Sequence, residues 1–130
     1  MQSDPLGDFL TQIRNANRAG KTEAATPYSK TKSNVANVLK REGYIKDFSL
    51  EKRNDKPTLI VYLKRSAKVK VIQGIKRVSK PGLRRYAGMR EIPRVLGGMG
   101  VAILSTPKGV LSGQEAKKQN VGGEILAYIW

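Results

Sequence analysis

Leu6, Phe9, Leu10 and Ile13 recur at i, i+3, i+4 and i+7, the spacing of one face of a helix. Asp4-Pro5 stands directly before them, a good N-cap followed by a residue suited to the first helical position. Arg14 and Arg18 fall in the last turns, where they complement the helix dipole, and Gly20 ends the run. The pattern predicts a helix over residues 4–19. Ala24 to Tyr28 can hold a short strand. Val35, Val38 and Leu39 give a second apolar helix face, with Thr31 or Ser33 available as its cap and Gly43 as its stop. Tyr44 to Glu51 reads as a strand, Lys52 to Pro57 as a turn, and Thr58 to Leu63 as a second strand. The first half thus predicts αβαββ, with both helices covering one sheet face.

The second half is punctuated by glycine and rich in strands. Val101 to Leu104 reads as a buried strand and Ser105 to Gly109 as a turn, because Pro107 cannot sit inside a central strand. Val110-Leu111 returns. Ser112 and Glu115 have the spacing of a capping box and open a short helix to about Gln119. Glu124 to Trp130 forms a last strand, with Ile125, Ala127 and Ile129 alternating against Leu126, Tyr128 and Trp130. The expected class is α+β in two small domains. The boundary falls near residues 65–73, giving an N-terminal α/β domain over residues 1–68 and a mainly β domain with one short helix over 69–130.

Composition narrows the chemistry. The 130 residues carry 25 Lys and Arg against 10 Asp and Glu, a formal charge of +15, with no Cys and no His. Disulfides, zinc fingers, thiol nucleophiles and imidazole proton shuttles are excluded. The longest purely apolar run, Leu59 to Leu63, is far too short to span a bilayer. Asp4 and Asp8, with no apolar core, argue against a secretory leader, and a cytoplasmic protein is expected. So large a positive surplus points to a polyanion, most simply nucleic acid.

Three motifs suggest other chemistry and lack its context. Gly20-Lys21-Thr22 resembles the end of a phosphate loop, but Asn15 stands where the pattern needs glycine and a helix precedes it. Gly98-x-Gly100 is followed by strand residues where a dinucleotide fold needs a helix. Ser105-x-x-Lys108 has a nucleophile spacing, but Pro107 breaks the required helix. The scattered carboxylates suit solvated ion pairs. The expectation is a protein with no catalytic residue, no metal site, no cofactor and no small-molecule substrate.

The candidate binding residues lie in the second half. Between Lys64 and Arg94 there are eleven basic residues and one acid, interleaved with apolar strand positions, so the cations project from a folded surface. Tyr86 follows Arg84 and Arg85 and suits stacking on bases, the alternative being a place in the core. Ser105 and Thr106 offer small hydroxyls beside Lys108 on an exposed turn, though an ordinary β-turn has the same composition. Glu124 after Gly122-Gly123 either accepts hydrogen bonds from a nucleic acid or orders the glycine turn.

The segment Gly98 to Gly109, Glu115-Ala116 and Gly122-Gly-Glu-Ile-Leu126 resembles the signature of the small-subunit ribosomal protein eight family, in its bacterial or organellar branch. Asp4-Pro-Leu with Ile13-Arg-Asn-Ala16, and Lys80-Pro-Gly-Leu-Arg-Arg-Tyr86, are similar to the same family's first helix and middle segment. The resemblance runs over essentially the whole chain. It implies two packed α/β domains and a non-catalytic structural component of the small ribosomal subunit. It implies a primary binder of the central domain of small-subunit ribosomal RNA that organises RNA helices during assembly. The family's RNA-binding residues carry over to Ser105, Thr106, Gly122, Gly123, Glu124 and Tyr86 with its basic neighbours. A second RNA segment is expected at Arg14, Asn15, Lys30, Lys32 and Ser33. The implied partners are ribosomal RNA and neighbouring small-subunit proteins, with no membrane and no obligate homo-oligomer, in the cytoplasm or on an organelle ribosome. Two other classes remain open at this point: a general nucleic-acid architectural protein, and a small enzyme acting on a phosphorylated substrate.

Overall fold

The computed structural model of the chain describes residues 4–64 and 71–130. The expected domain boundary between residues 68 and 69 lies outside the described residues. Helix α1 spans Pro5–Arg18, and the Asp4 carboxylate caps it by accepting from the Gly7 amide at 3.1 Å. Strand β1 (Glu23–Pro27) and helix α2 (Lys30–Arg41) follow. The α2 cap is Ser29, earlier than the expected Thr31 or Ser33: its hydroxyl accepts from the Lys32 amide at 3.2 Å. With no Glu or Gln at N3 to mark a capping box, the pattern leaves that start ambiguous.

Strands β2 (Ile45–Arg53) and β3 (Lys56–Leu63) form the expected hairpin. Its turn narrows to Asn54 and Asp55, both at positive φ, as a tight two-residue hairpin requires. The first sheet has the antiparallel order β1-β3-β2. From residue 71 onward come β4 (Ile75–Arg77), β5 (Tyr86–Ala87), β6 (Val101–Thr106), β7 (Gly109–Ser112), helix α3 (Gly113–Lys118) and β8 (Gly123–Ile129). The Ser112–Glu115 capping box is formed in both directions. The second sheet runs β4-β8-β6-β7, with β5 pairing the start of β8. Among the described residues no helix is long and apolar enough to cross a membrane.

One apolar cluster joins residues from both ends of the sequence. Phe9 and Ile13 of α1, Val35 and Leu39 of α2, and Leu59 and Val61 of β3 pack together with Ile103 of β6 and Leu126, Ala127 and Ile129 of β8. Helix α1 touches both β1 and β4, and α2 touches both β2 and β7, so each helix meets both sheets. A second cluster lies across the other face of the second sheet, where Ala102, Leu104 and Ile125 meet Leu111, Ala116, Ile92 and Val95.

Strand β8 departs from strict alternation. Ile103 faces Ala127, but the next residue, Leu104, faces Ile125, so Leu126 is an extra residue in a β-bulge. The bulge puts Ile125 in the second cluster with Tyr128 and Trp130 alongside, and Leu126 in the first with Ala127 and Ile129. The expected grouping of Ile125 with Ala127 and Ile129 is therefore corrected: an inserted residue reverses the facing of everything on one side of it.

Polar contacts fasten the same junction. Arg77 forms a two-point ion pair with Asp4, both contacts at 3.2 Å, and its remaining nitrogen donates to the Leu126 carbonyl at 2.7 Å. The Asn17 amide donates to the Ile72 carbonyl at 2.7 Å. Arg41 of α2 reaches Glu115 of α3 at 3.0 Å. The amides of Gln73 and Gly74 donate to the Trp130 carbonyl at 2.7 and 3.0 Å.

Burial pushes the Asp4 carboxyl up, but the hydrogen bonds from Arg77 and Gly7 and the Arg77 charge outweigh it, and its pKa lies below the usual value. Glu115 behaves alike: burial raises it, while the Ser112 amide and Arg41 lower it further. A carboxyl with a lowered folded pKa stabilises the fold above its unfolded pKa, about 4, and loses that contribution as pH falls through the folded value. Asp4→Asn, which keeps a cap, should lower unfolding free energy by about 1–2 kcal/mol at neutral pH, given the strength of hydrogen bonds to charged groups. In denaturant unfolding measured across pH, its difference from the parent should begin to close as pH falls below the unfolded pKa, about 4, and vanish only once pH lies below the lowered folded value.

Candidate nucleic-acid interface

At one end of the second sheet, three strands set three polar side chains in a row. Tyr86 of β5 lies opposite Glu124 of β8, and Glu124 lies opposite Ser105 of β6. Directly opposed residues on neighbouring strands share a face. The row is close because two positions carry no side chain. A Cβ on Gly123 would overlap the Ser105 carbonyl, and one on Gly122 would overlap the Ala87 carbonyl. The glycine pair thus draws β5 and β6 against the start of β8.

The hairpin before β5 brings the cations. Ser79 is fully buried, and its hydroxyl accepts from the Arg85 amide at 2.8 Å. The Ser79 amide and the Arg85 carbonyl both bond to the backbone of Ile125. Lys80 and Leu83 close the tip across Pro81-Gly82. Arg84 and Arg85 follow on the surface, and Tyr86 is 71% exposed, outside the core. Arg84 Nη1 donates to the Glu124 carboxylate at 3.0 Å, with the Arg84 side chain 50% exposed and that of Glu124 19%. Arg84 thus holds Glu124, and among the described residues the carboxylate makes no bond to the glycine turn.

The two hydroxyls at the end of β6, before the Pro107-Lys108 turn, differ. Thr106 Oγ1 donates to the Gly109 carbonyl at 2.7 Å and accepts from the Lys108 amide at 3.1 Å, which makes it a brace of the turn. Ser105 is exposed, and its hydroxyl has no partner among the described residues. Lys108 is exposed, its ammonium 3.3 Å from the Gln119 carbonyl.

Ser105, Glu124 and Arg84 line one wall of a groove of about 440 Å³, together with Arg77. The other wall is the N-terminal end of α1 (Asp4 to Leu6) and that of α2 (Ser29, Thr31 and Lys32). Two helix N-termini therefore face a wall bearing Arg77 and Arg84, and amide dipoles add to the cationic field there. Lys30 is exposed on the first turn of α2 and Ser33 is half-buried one turn further on. Lys32 is only 6% exposed, and its ammonium is engaged inside, at 3.0 Å from Thr26 Oγ1 and 3.1 Å from the Pro27 carbonyl.

Arg14 and Asn15 are not brought to this groove. They lie about 15 Å further along α1 at the rise of an α-helix. Asn15 lines a separate shallow surface with Gln12 and Lys21. Arg14 is half-buried, with its Nε enclosed and unpartnered among the described residues. Also among the described residues, no three His, Cys, Asp or Glu side chains group as a metal site would need.

The family model for ribosomal protein S8 matches residues 4–130, the described chain from its first helix cap to its last residue. The chain belongs to the ribosomal protein S8 family. It is 53% identical over 129 residues to the small ribosomal subunit protein uS8 of Rhodococcus erythropolis, covering 98% of each chain. It is 52% identical over 131 residues to the small ribosomal subunit protein uS8 of Oceanobacillus iheyensis, covering 100% of this chain and 99% of the relative. Sequence reasoning missed Asp4, Ser29 and Arg77 as groove residues. Asp4 was legible as a helix cap, but nothing in the sequence signalled that it faces Arg77.

Two substitutions separate scaffold from surface here. Gly123→Ala should cost about 1–3 kcal/mol of stability, the range of overpacking, because the added methyl meets backbone that cannot yield. Glu124→Gln should change stability by less than about 1 kcal/mol, as expected for a pair with one exposed partner. Denaturant midpoints of the two variants check both values.

Proposed function

We propose that the chain is a structural, non-catalytic component of the small ribosomal subunit that binds the central domain of its ribosomal RNA and orients RNA helices during assembly. The observation that carries this reading is the groove, where Arg84, Ser105 and Glu124 meet two helix N-termini in a family member of charge +15. A-form RNA offers side chains a wide, shallow minor groove lined with 2′-hydroxyls and base edges. The Ser105 hydroxyl is small enough to approach that surface and can both donate and accept. Tyr86 is exposed beside it for stacking against a sugar or an unpaired base. Glu124 accepts from a 2′-hydroxyl or an amino group once Arg84 turns to a phosphate. Lys80, Arg85 and Lys108 fix the backbone and supply affinity that falls with salt.

Two domains, divided within residues 65–73, would each carry one RNA contact: Lys30, Ser33, Arg14 and Asn15 on the first, and the Tyr86–Glu124–Ser105 row with Thr106, Lys108, Gly122 and Gly123 on the second. The apolar cluster and the Asp4–Arg77 pair span the two halves of the sequence, so the two contacts would be held at one relative orientation. In this reading Lys32 acts by setting the end of α2 and Thr106 by bracing its turn. The protein works where ribosomes are built, in the bacterial cytoplasm or an organelle.

Ser105→Ala should weaken binding to a central-domain RNA fragment about tenfold, equivalent to about 1.4 kcal/mol. It should leave a random duplex RNA and the stability of the protein unchanged. A titration of both RNAs across salt checks this. Equal losses on the two RNAs would favour a general architectural binder in which charge alone sets affinity.

A further inference from the structure

The face of the first sheet that carries the helices runs on past the start of α2. Thr26, Leu59 and Leu50 stand opposite one another in one row of that sheet. One row further out, Pro57 stands opposite Lys52, and the Pro57 carbonyl accepts from the Tyr28 amide at 3.0 Å, so Tyr28 continues the row on the β1 side. Directly opposed residues, and residues two apart on a strand, share a face. Lys32, on the first turn of α2, reaches Thr26 Oγ1 at 3.0 Å, and Thr26 and Leu59 are buried there. Beyond that point the face is open. Leu50 is 58% exposed and Tyr28 41% exposed, and Pro57 and Lys52 are exposed beside them. Tyr28, Leu50 and Pro57 belong to neither apolar cluster.

These residues form a small shelf at the N-terminal end of α2. Adjacent exposed apolar groups edged by polar ones mark a binding surface. Lys52 stands on the shelf and Lys30 is exposed two residues after Tyr28, while neither row contains a carboxylate. Glu51, next to Lys52 in the chain, falls on the opposite face of the strand and pairs with Arg53 at 3.4 Å. Ser29, which follows Tyr28, lines the groove, so shelf and groove meet at the start of α2.

We propose that this shelf binds an unpaired nucleobase. The base stacks on the Tyr28 ring beside Leu50 and Pro57, and Lys30 and Lys52 meet the phosphates on either side of it. The chemistry selects that occupant. A stacked base needs a π-face, which Tyr28 supplies. RNA offers free bases in single strands, bulges and ends, and not inside a duplex. A protein segment could use the apolar groups equally well. Two cations without a carboxylate, on a surface continuous with the groove, favour the polyanion. The inference rests on the RNA reading above for its class of ligand. It goes beyond that reading in placing a base on the first domain, on residues with no part in the groove.

The test uses the full chain and two RNA duplexes of one random sequence, blunt or with a short adenosine 3′ overhang, at near-physiological salt. The parent should bind the overhanging duplex about tenfold more tightly than the blunt one, as expected for stacking of one base. Tyr28→Ala should remove that preference and Tyr28→Phe should keep it, with denaturant midpoints like the parent's. No preference in the parent, or a preference that survives Tyr28→Ala, would overturn the proposal. A loss in Tyr28→Phe as large as in Tyr28→Ala would also overturn it, since the hydroxyl and not the ring would then do the binding. The function proposed above is read separately, from the central-domain fragment. A parent that binds that fragment no better than the blunt duplex defeats the ribosomal reading, and the shelf still stands if the overhang preference follows the ring.

Discussion

Strand β8 buries both of its faces, and the arrangement of the molecule follows from that. Leu126, Ala127 and Ile129 face the cluster built by α1, α2 and β3, while Ile125 packs in the second cluster against β6, β7 and α3. The bulge at Leu126 lets the adjacent residues Leu126 and Ala127 face the same cluster, where strict alternation would put them on opposite faces. The bulge also sets the direction of the strand start, so that Glu124 lies between Tyr86 and Ser105. Without that register the glycine pair would have no neighbours to draw together.

The same strand links stability to recognition. Arg77 ties Asp4, the cap of α1, to the carbonyl of Leu126, the bulge residue. One guanidinium thus fixes the N-terminal end of a helix against the middle of the second sheet, and that junction is a wall of the groove. Charge is distributed accordingly. Among the described residues Asp4, Asp47, Glu115 and Glu124 each pair with an arginine or lysine, and ten acids against 25 bases leave a large positive surplus. A surplus of that kind concentrates polyanions near the protein, while small groups such as the Ser105 hydroxyl decide what can come close.

Much of the fold was legible along the chain because its signals are local. Asp4-Pro5 with the following apolar spacing marks α1, and the Ser112–Glu115 box marks α3. The helix order and the β2–β3 hairpin also follow from short-range chemistry, while the expected Ser105–Gly109 turn narrows to Pro107-Lys108, because Ser105 and Thr106 continue β6 and Gly109 starts β7. The bulge in β8 was not legible, because a period of two cannot show which residue is the extra one. Nor was the burial of Lys32, whose partners Thr26 and Pro27 are reached only when β1 folds beside α2. The groove itself joins residues 4–6, 29–32, 77–84, 105 and 124–126, a meeting that only the tertiary fold creates. Family resemblance pointed to Ser105 and Glu124 as residues, but their distinct situations, one hydroxyl unpartnered and one carboxylate held by Arg84, are geometric facts.

The most direct measurement of the central claim is a backbone and side-chain NMR titration of the intact protein with a central-domain ribosomal RNA fragment. The account predicts that the largest perturbations fall on Tyr86, Ser105, Glu124 and the Ser29–Thr31 end of α2, and that the Arg84 guanidinium signal moves as its contact with Glu124 opens. Perturbations centred on the β2 edge or on the Leu96–Met99 loop, with the groove unchanged, would contradict it.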